Sequence, residues 1–232
     1  MPWLLKLLPH ERERVASTLA VCEHAAGTWL VQAGQMPDGW LGVMDGLLKV
    51  SPALGAPALP IGLAGVGPGG WWGTSACLRR QSCESGVQAL RKVAVAHMPL
   101  STFHWLLEHS LGFNRVIAAQ LQDGLEHYQA HVLQGRSVSP DERVAKCLAA
   151  LFQPALYAGH GMLLRITQQE LAQLVGLSRQ RVNEALAVLE AFGAVQVEYG
   201  GLRALDWQAL RAGQLGLQRK PEPATAHAVQ AQ

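Results

Sequence analysis

The chain has 232 residues, 49% of them apolar and 16% charged, with a formal net charge of +2. That balance describes a foldable globular chain of one or two domains and excludes an intrinsically disordered one. No apolar run reaches the roughly 18–20 residues of a membrane span, and so small a net charge singles out no class of partner.

Met1–His10 is apolar but is broken by Pro9 and runs into Glu11-Arg12-Glu13-Arg14 without a small-residue cleavage site. A cytoplasmic protein without a secretory signal or a membrane association is therefore expected. The cysteines, Cys22, Cys77, Cys83 and Cys147, form no C-x-x-C pair and are expected to be free thiols of a reducing compartment. Pro9 to about Ala26 predicts a helix, with Val15, Leu19 and Cys22 among its apolar positions.

From Thr28 the texture changes. Trp29–Val31, Trp40–Met44, Leu47–Val50 and Ile61–Ala64 are short apolar runs punctuated by Gly, Pro and Asp. Strands at such spacing predict an all-β barrel or roll. Asp45-Gly46 reads as a hairpin turn, and Gly65–Gly73 is too rich in Gly and Pro for a central strand, so a loop is expected there. Val87–Leu90 and Lys92–Val95 return to strand texture.

At Pro99 the period shifts from two to about 3.6. A short helix opens at Ser101. A long one follows Gly112, with Phe113, Val116, Ile117, Leu121, Gly124, Tyr128 and Val132 on one stripe. A long stripe of this kind beside a roll predicts pairing with a second copy, with Phe113, Ile117, Leu121 and Tyr128 in the seam; the alternative is that the stripe covers its own sheet. Gln134–Ser137 reads as a hinge, and Ser139-Pro140-Asp141-Glu142 caps another helix with Pro at its first position.

The most informative stretch is Leu164–Asp206. Thr167-Gln168-Gln169-Glu170 is a capping box opening a short helix with Leu171, Leu174 and Val175 inward. Gly176 turns the chain and Ser178 caps a second helix, whose Val182, Leu186 and Leu189 recur at helical spacing. Arg179, Gln180, Asn183 and Glu184 then face outward. Gly193 ends that helix, and Val195–Leu205 reads as a hairpin turning at Gly200-Gly201. Together these make a winged helix-turn-helix, whose second helix enters a major groove of double-stranded DNA. Its outward groups are those that read base edges: Arg for guanine, Gln or Asn for adenine, Glu for cytosine. Over residues 161–212 five arginines meet five carboxylates, so the basic footprint usual for such a unit is missing. Leu215 onward, with Lys220–Thr225, reads as a disordered tail.

Roll, long helix and winged helix-turn-helix, in that order, resemble the Crp/Fnr family of bacterial transcription regulators, named for the cyclic-AMP receptor protein. The likeness runs from about Leu30 to Leu210. It is most specific over Ile166–Gly193, where the pattern T-x-Q-E-L-A-x-L-V-G-L-S-R-x-x-V-N-x-A-L stands. Asp45–Val50 and Trp71-Trp72-Gly73 sit where the family has a G-x-(V/I)-x-V hairpin and an (F/W)-G-E loop. The resemblance implies an α+β fold. Its parts are a double-stranded, cyclic-nucleotide-binding-like β-roll over 1–110, a dimerisation helix over 111–135, a winged helix-turn-helix over 136–214 and a tail over 215–232. It also implies a homodimeric DNA-binding regulator in which the roll senses, the long helices pivot and two recognition helices take up a spacing of about 34 Å. RNA polymerase is left open as a further partner. Arg179 and Gln180 fall on the family's first two base-reading slots, Ser178 and Gln169 near phosphates, and Glu184 where the cyclic-AMP receptor has an arginine.

In cyclic-nucleotide-binding relatives the Glu of the loop holds the ribose and an Arg further on holds the phosphate. Here those positions are Thr74 and Cys83, so the pocket candidates Trp71, Trp72, Gly73, Thr74, Arg79, Arg80 and Cys83 predict a degenerate effector site. Cyclic AMP is not expected to bind, because Cys83 cannot pair with a phosphate as a guanidinium does. An iron–sulfur centre lacks its cysteine cluster. A haem sensor is left open, with Cys77, Met36, Met44, His24 or His10 as axial ligand. His127 and His131, four apart on the long helix, are a weak metal pattern without a third ligand, and no metal is expected. Trp29, Trp40, Trp71 and Trp72 read as roll core, or as lining for an apolar effector. Without a constellation of nucleophile, base and orienting acid, an enzyme is not expected. The alternative reading is a ligand-binding scaffold whose winged helix binds protein.

Overall fold

The computed structural model describes residues 1–53, 65–133, 139–152 and 163–212, and the side chains of residues 126–133 and 212 fall outside that description. A 3-10 turn over Pro2–Lys6 and α1 (Pro9–Thr18) lead into β1 (Ala20–His24), β2 (Trp29–Val31), β3 (Gly39–Asp45) and β4 (Leu48–Pro52). Then come β5 (Gly65–Val66), β6 (Trp71–Trp72), α2 (Thr74–Arg79), β7 (Ser85–Ala89) and β8 (Val93–Pro99). These strands form two antiparallel sheets, in the orders β1-β8-β3-β6 and β2-β7-β4-β5.

Side-chain alternation along the first sheet builds two cores at once. Leu41 and Val43 of β3, with Val93 and Val95 of β8, point between the sheets onto Leu48, Val50 and Val87. The intervening Trp40, Ala96 and Met98 point the other way, onto α3 (Leu100–His109) and α4 (Leu111–Leu133). There Trp40 stacks on Trp71 at 4.1 Å between ring centroids, and Phe113 meets Trp40 edge-on at 5.7 Å. Gly42 is required beneath this stack, because a Cβ there would lie 2.6 Å from the Trp71 ring. The tryptophans thus divide: Trp40 and Trp71 belong to the helix-facing core, Trp72 packs into the roll interior, and Trp29 is exposed.

The third core lies beyond α4. α5 (Pro140–Leu151), α6 (Gln168–Val175), α7 (Arg179–Ala191) and α8 (Trp207–Ala212) pack with the sheet β10-β11-β9, formed by β9 (Leu163–Leu164), β10 (Val195–Glu198) and β11 (Gly201–Ala204). The Ser139 hydroxyl accepts from Glu142 N at 3.2 Å and Glu142 reciprocates, as the sequence predicts.

Several expectations are corrected. The first helix stops at Thr18, whose hydroxyl turns back to the Arg14 carbonyl at 2.9 Å, and Ala20–His24 instead fills the open edge of β8 as β1. Asp45-Gly46 is not a hairpin turn: β3 and β4 lie in different sheets, and Gly46, at φ +97°, carries the chain across. A Cβ on Gly46 would meet Lys92 O at 2.6 Å, so the crossing needs glycine twice over. The Gly65–Gly73 stretch contains the short strands β5 and β6 at its ends. The wing turns at Tyr199-Gly200, since Glu198 pairs with Gly201. Phe113 and Ile117 do not lie in an exposed seam. Both are buried within the chain against the roll, because the first turns of α4 cover the tryptophan cluster. Leu121 remains 47% exposed. The expected strand over Ile61–Ala64, the hinge over Gln134–Ser137, the tail, and the side chains of His127, Tyr128 and His131 lie outside the described residues.

If Phe113 is core, Phe113→Ala should lower unfolding free energy by about 3–5 kcal/mol, read from urea denaturation. A loss under about 1 kcal/mol would place the ring outside the core.

Candidate nucleic-acid interface

The recognition unit is built from its caps outward. Thr167 Oγ1 accepts from Glu170 N at 3.1 Å, and Glu170 Oε2 accepts from Thr167 N at 2.7 Å, closing the predicted capping box of α6. Gly176, at φ +68°, ends α6 in the left-handed conformation, and its N–H returns to Ala172 O at 2.9 Å. Ser178 Oγ then accepts from Arg181 N at 3.2 Å and starts α7. Val182, Ala185, Leu186 and Leu189 are buried along one side of α7, which leaves Arg179, Gln180, Asn183 and Glu184 exposed along the other.

Hydrogen bonds hold most of that outward face in place. Gln168 Nε2 donates to Asn183 Oδ1 at 2.8 Å, Gln180 Nε2 to Glu184 Oε1 at 3.4 Å, and Arg181 bridges Asp141 (2.6 Å) and Glu184 (3.4 Å). Arg181, which faces sideways, therefore serves α5 rather than a ligand. Arg179 makes no described ion pair. Between the N-termini of α6 and α7 and the wing lies a groove of about 470 Å³ lined by Thr167, Gln168, Gln169, Arg179, Val197 and Gly200. Glu198 also borders it, paired with Arg203; that hydrogen bond holds the Glu198 carboxyl below its ordinary pKa. Tyr199 stands fully exposed at the wing tip. The arrangement can accept a polyanion at two helix N-termini while side chains reach past it. The wing's contribution is not evident from sequence, and its signal is the Glu198/Arg203 pair facing across the hairpin.

The roll's pocket residues are spoken for by one another. Thr74 Oγ1 accepts from Trp40 Nε1 at 2.8 Å and donates to Gln120 Oε1 at 2.9 Å, while Gln120 Nε2 donates to Trp71 O at 2.8 Å. Arg79 pairs with Glu84 at 2.7 Å, and Arg80 donates to His104 Nε2 at 3.2 Å on α3. Gly73, at φ +95°, starts α2. The cavity left beside them, bordered by Thr74, Ser75, Arg79, Ser82, Cys83 and Ser85, is about 140 Å³. Of the haem-ligand candidates, Cys77 is buried with its S–H on Gly39 O at 3.4 Å, Met36 and Met44 are exposed, and His10 lies edge-on to Trp105. Among the described residues no three His, Cys, Asp or Glu side chains gather as metal ligands, and no helix is long and apolar enough to cross a membrane.

Residues 142–212 match the Crp-like helix-turn-helix domain. The fold is similar to that of FixK2 from Bradyrhizobium japonicum (17% identity, 83% of this chain and 96% of that one, TM-score 0.62). It is also similar to the c-di-GMP responsive global regulator CLP from Xanthomonas campestris (20%, 84% and 98%, 0.53). A third likeness is to a CRP/FNR family transcriptional regulator from Thermus thermophilus (24%, 85% and 100%, 0.51). No curated protein matches the chain.

The cysteines yield a pH prediction. Burial pushes the Cys77 thiol up to about 12, helped by Cys83 and Asp38, and burial alone does the same to Cys147. Cys83 is raised by burial and Asp38, and Cys22 is exposed. A raised folded pKa keeps the proton on in the native state, so stability is full below the unfolded thiol pKa of 9.0 and is lost as pH climbs toward 12. A thiol reagent at pH 8 should therefore modify Cys22 quickly and the other three only on unfolding. Four equally fast thiols would contradict this.

Proposed function

We propose that this chain, a transcription regulator of the Crp/Fnr type by its helix-turn-helix domain and its fold, binds two-fold symmetric operators as a homodimer and reads base edges from α7. The observation that carries this reading is the exposed set Arg179, Gln180, Asn183 and Glu184 on a helix whose opposite side is wholly buried. Arg179 is the unpaired fork suited to guanine, and Gln180 suits adenine. Glu184, steadied by Gln180 and Arg181, offers a carboxylate to a cytosine amino group. Gln169 and the Ser178 turn approach phosphates from the helix N-termini. Leu121 and Leu125, at 47% and 55% exposure four residues apart on α4, supply the start of a seam for a second copy.

Selection of bound duplexes from a random pool tests this. The expected product is a palindrome whose half-sites lie about one turn, roughly 34 Å, apart. Arg179→Ala should then cost about 1–3 kcal/mol and relax one base pair in each half-site. Full affinity in that variant would mean that another face meets DNA.

The roll serves as a degenerate effector domain. A cavity of about 140 Å³ is below the roughly 300–1,000 Å³ of small-molecule sites. Its guanidinium is neutralised by Glu84, and Thr74 has both its hydrogen-bonding directions filled. A cyclic phosphate would find no unpaired cation, a loss of about 1.5–3 kcal/mol and so roughly ten- to a hundred-fold in affinity. Cyclic di-GMP, to which the Xanthomonas regulator responds, brings two phosphates to the same shortage. Isothermal titration with cyclic AMP, cyclic GMP and cyclic di-GMP should give no saturable heat at micromolar concentrations. A micromolar dissociation constant would require Glu84 to release Arg79, or Arg80 to leave His104.

A further inference from the structure

Two turns of the roll reach into the DNA-binding half of the chain. Leu47, just after the sheet crossing, is 1% exposed and sits in the core made by α5, α6 and α7, with Leu90 packed beside it. Leu90 N donates to Leu47 O at 2.9 Å, so the β3–β4 and β7–β8 turns are joined to each other. A Cβ on Gly65 would lie 3.0 Å from Leu174 of α6, which shows how closely β5 approaches the same helix.

Arg91, on the β7–β8 turn, fastens this contact. Its Nη1 lies 3.0 and 3.1 Å from the two carboxylate oxygens of Glu170, and its Nη2 donates to Arg165 O at 2.7 Å. Nη2 also lies 3.4 Å from Gly46 O, tying both roll turns to the pair. The side chains are 30% and 12% exposed, so the ion pair is only partly screened by water. Glu170 closes the capping box of α6 from within its first turn, and Arg165 belongs to the segment entering it. Arg91 therefore grips the N-terminus of the helix that supports α7, from a domain that takes no part in lining the DNA groove.

We propose that Arg91 is a positioning residue for DNA binding: it fixes the orientation of the helix-turn-helix unit on the roll and thereby sets the separation of the two recognition helices. This rests on the dimeric, DNA-reading function proposed above. The docked orientation leaves Arg179, Gln180, Asn183 and Glu184 open, so it is an orientation able to meet DNA. A rigidly held pair of helices loses less orientational freedom on reaching two half-sites at once. The α6 cap does not need Arg91, because Thr167 and Glu170 satisfy one another within three residues. Removing Arg91 leaves the recognition unit folded and loosens only its attachment.

The test compares full-length wild type, Arg91→Ala and Arg91→Lys on three duplexes: the selected palindrome, a duplex with one half-site, and palindromes with the spacer changed by one or two base pairs. Arg91→Ala should bind the palindrome at least ten-fold more weakly, keep wild-type affinity for the single half-site, and discriminate less between spacers. Arg91→Lys, which keeps the charge but not the two-pronged fork, should fall between. Unchanged palindrome affinity and spacer preference in Arg91→Ala would overturn the proposal. Equal weakening on the single half-site would also overturn it, since that marks damage to the recognition unit itself. If wild type selects no symmetric operator, the dimeric reading fails, and this inference fails with it.

Discussion

The carboxylate of Glu170 is where the two halves of the chain meet, and most of the arrangement depends on it. Oε2 closes the cap of α6 through Thr167 N and Oγ1, while Arg91 Nη1 donates to both oxygens. A carboxylate at a helix N-terminus is favoured by the helix dipole, and the Arg91 guanidinium adds a charge-assisted contact through Nη1 while Nη2 holds the Arg165 carbonyl. One group thus sets where α6 begins, how it is oriented on the roll, and where Ser178 can start α7. The apolar plug of Leu47 and Leu90 supplies contact area beneath it, and the ion pair supplies direction.

That economy has an electrostatic consequence. The recognition half has as many carboxylates as arginines, and most of the arginines are occupied. Arg181 serves Asp141 and Glu184, Arg203 serves Glu198, and Arg211 lies over the Trp207 ring. Such a face gains little from the long-range attraction that carries most DNA-binding domains to any duplex. In the proposed function, binding comes from directed contacts: amides at helix N-termini on phosphates, and Arg179, Gln180 and Glu184 on base edges. A protein built this way holds random sequence weakly, so what affinity it has is mostly selective.

The parts legible in the sequence are those set by neighbours along the chain. The Thr167–Glu170 capping box, the Ser139 cap, the Gly176 turn and the inward Val182, Leu186 and Leu189 follow from spacings of three or four residues, and all stand as read. Burial of the α4 stripe was legible too, with the roll as the alternative to a second copy, but spacing did not decide between them. Phe113 and Ile117 meet tryptophans from Trp3 to Trp71, far away in sequence, and only Leu121 onward is left for another chain. The Asp45-Gly46 turn looked like a hairpin because glycine reports a positive φ and not which sheet comes next. Arg91–Glu170 and Thr74–Gln120 join residues 79 and 46 positions apart, and no local pattern announces such pairs.

The central claim is that a charge-balanced face binds DNA by directed contact, and the salt dependence of operator binding tests it most directly. Of the arginines over residues 161–212, Arg165 and Arg179 make no described ion pair, so a dimer brings about four cations, two of them the Arg179 side chains assigned to bases. The logarithm of affinity should then fall against the logarithm of salt concentration with a slope of about −2 to −4. A slope of roughly −8 or steeper would show that many more cations reach the backbone, and would contradict the account.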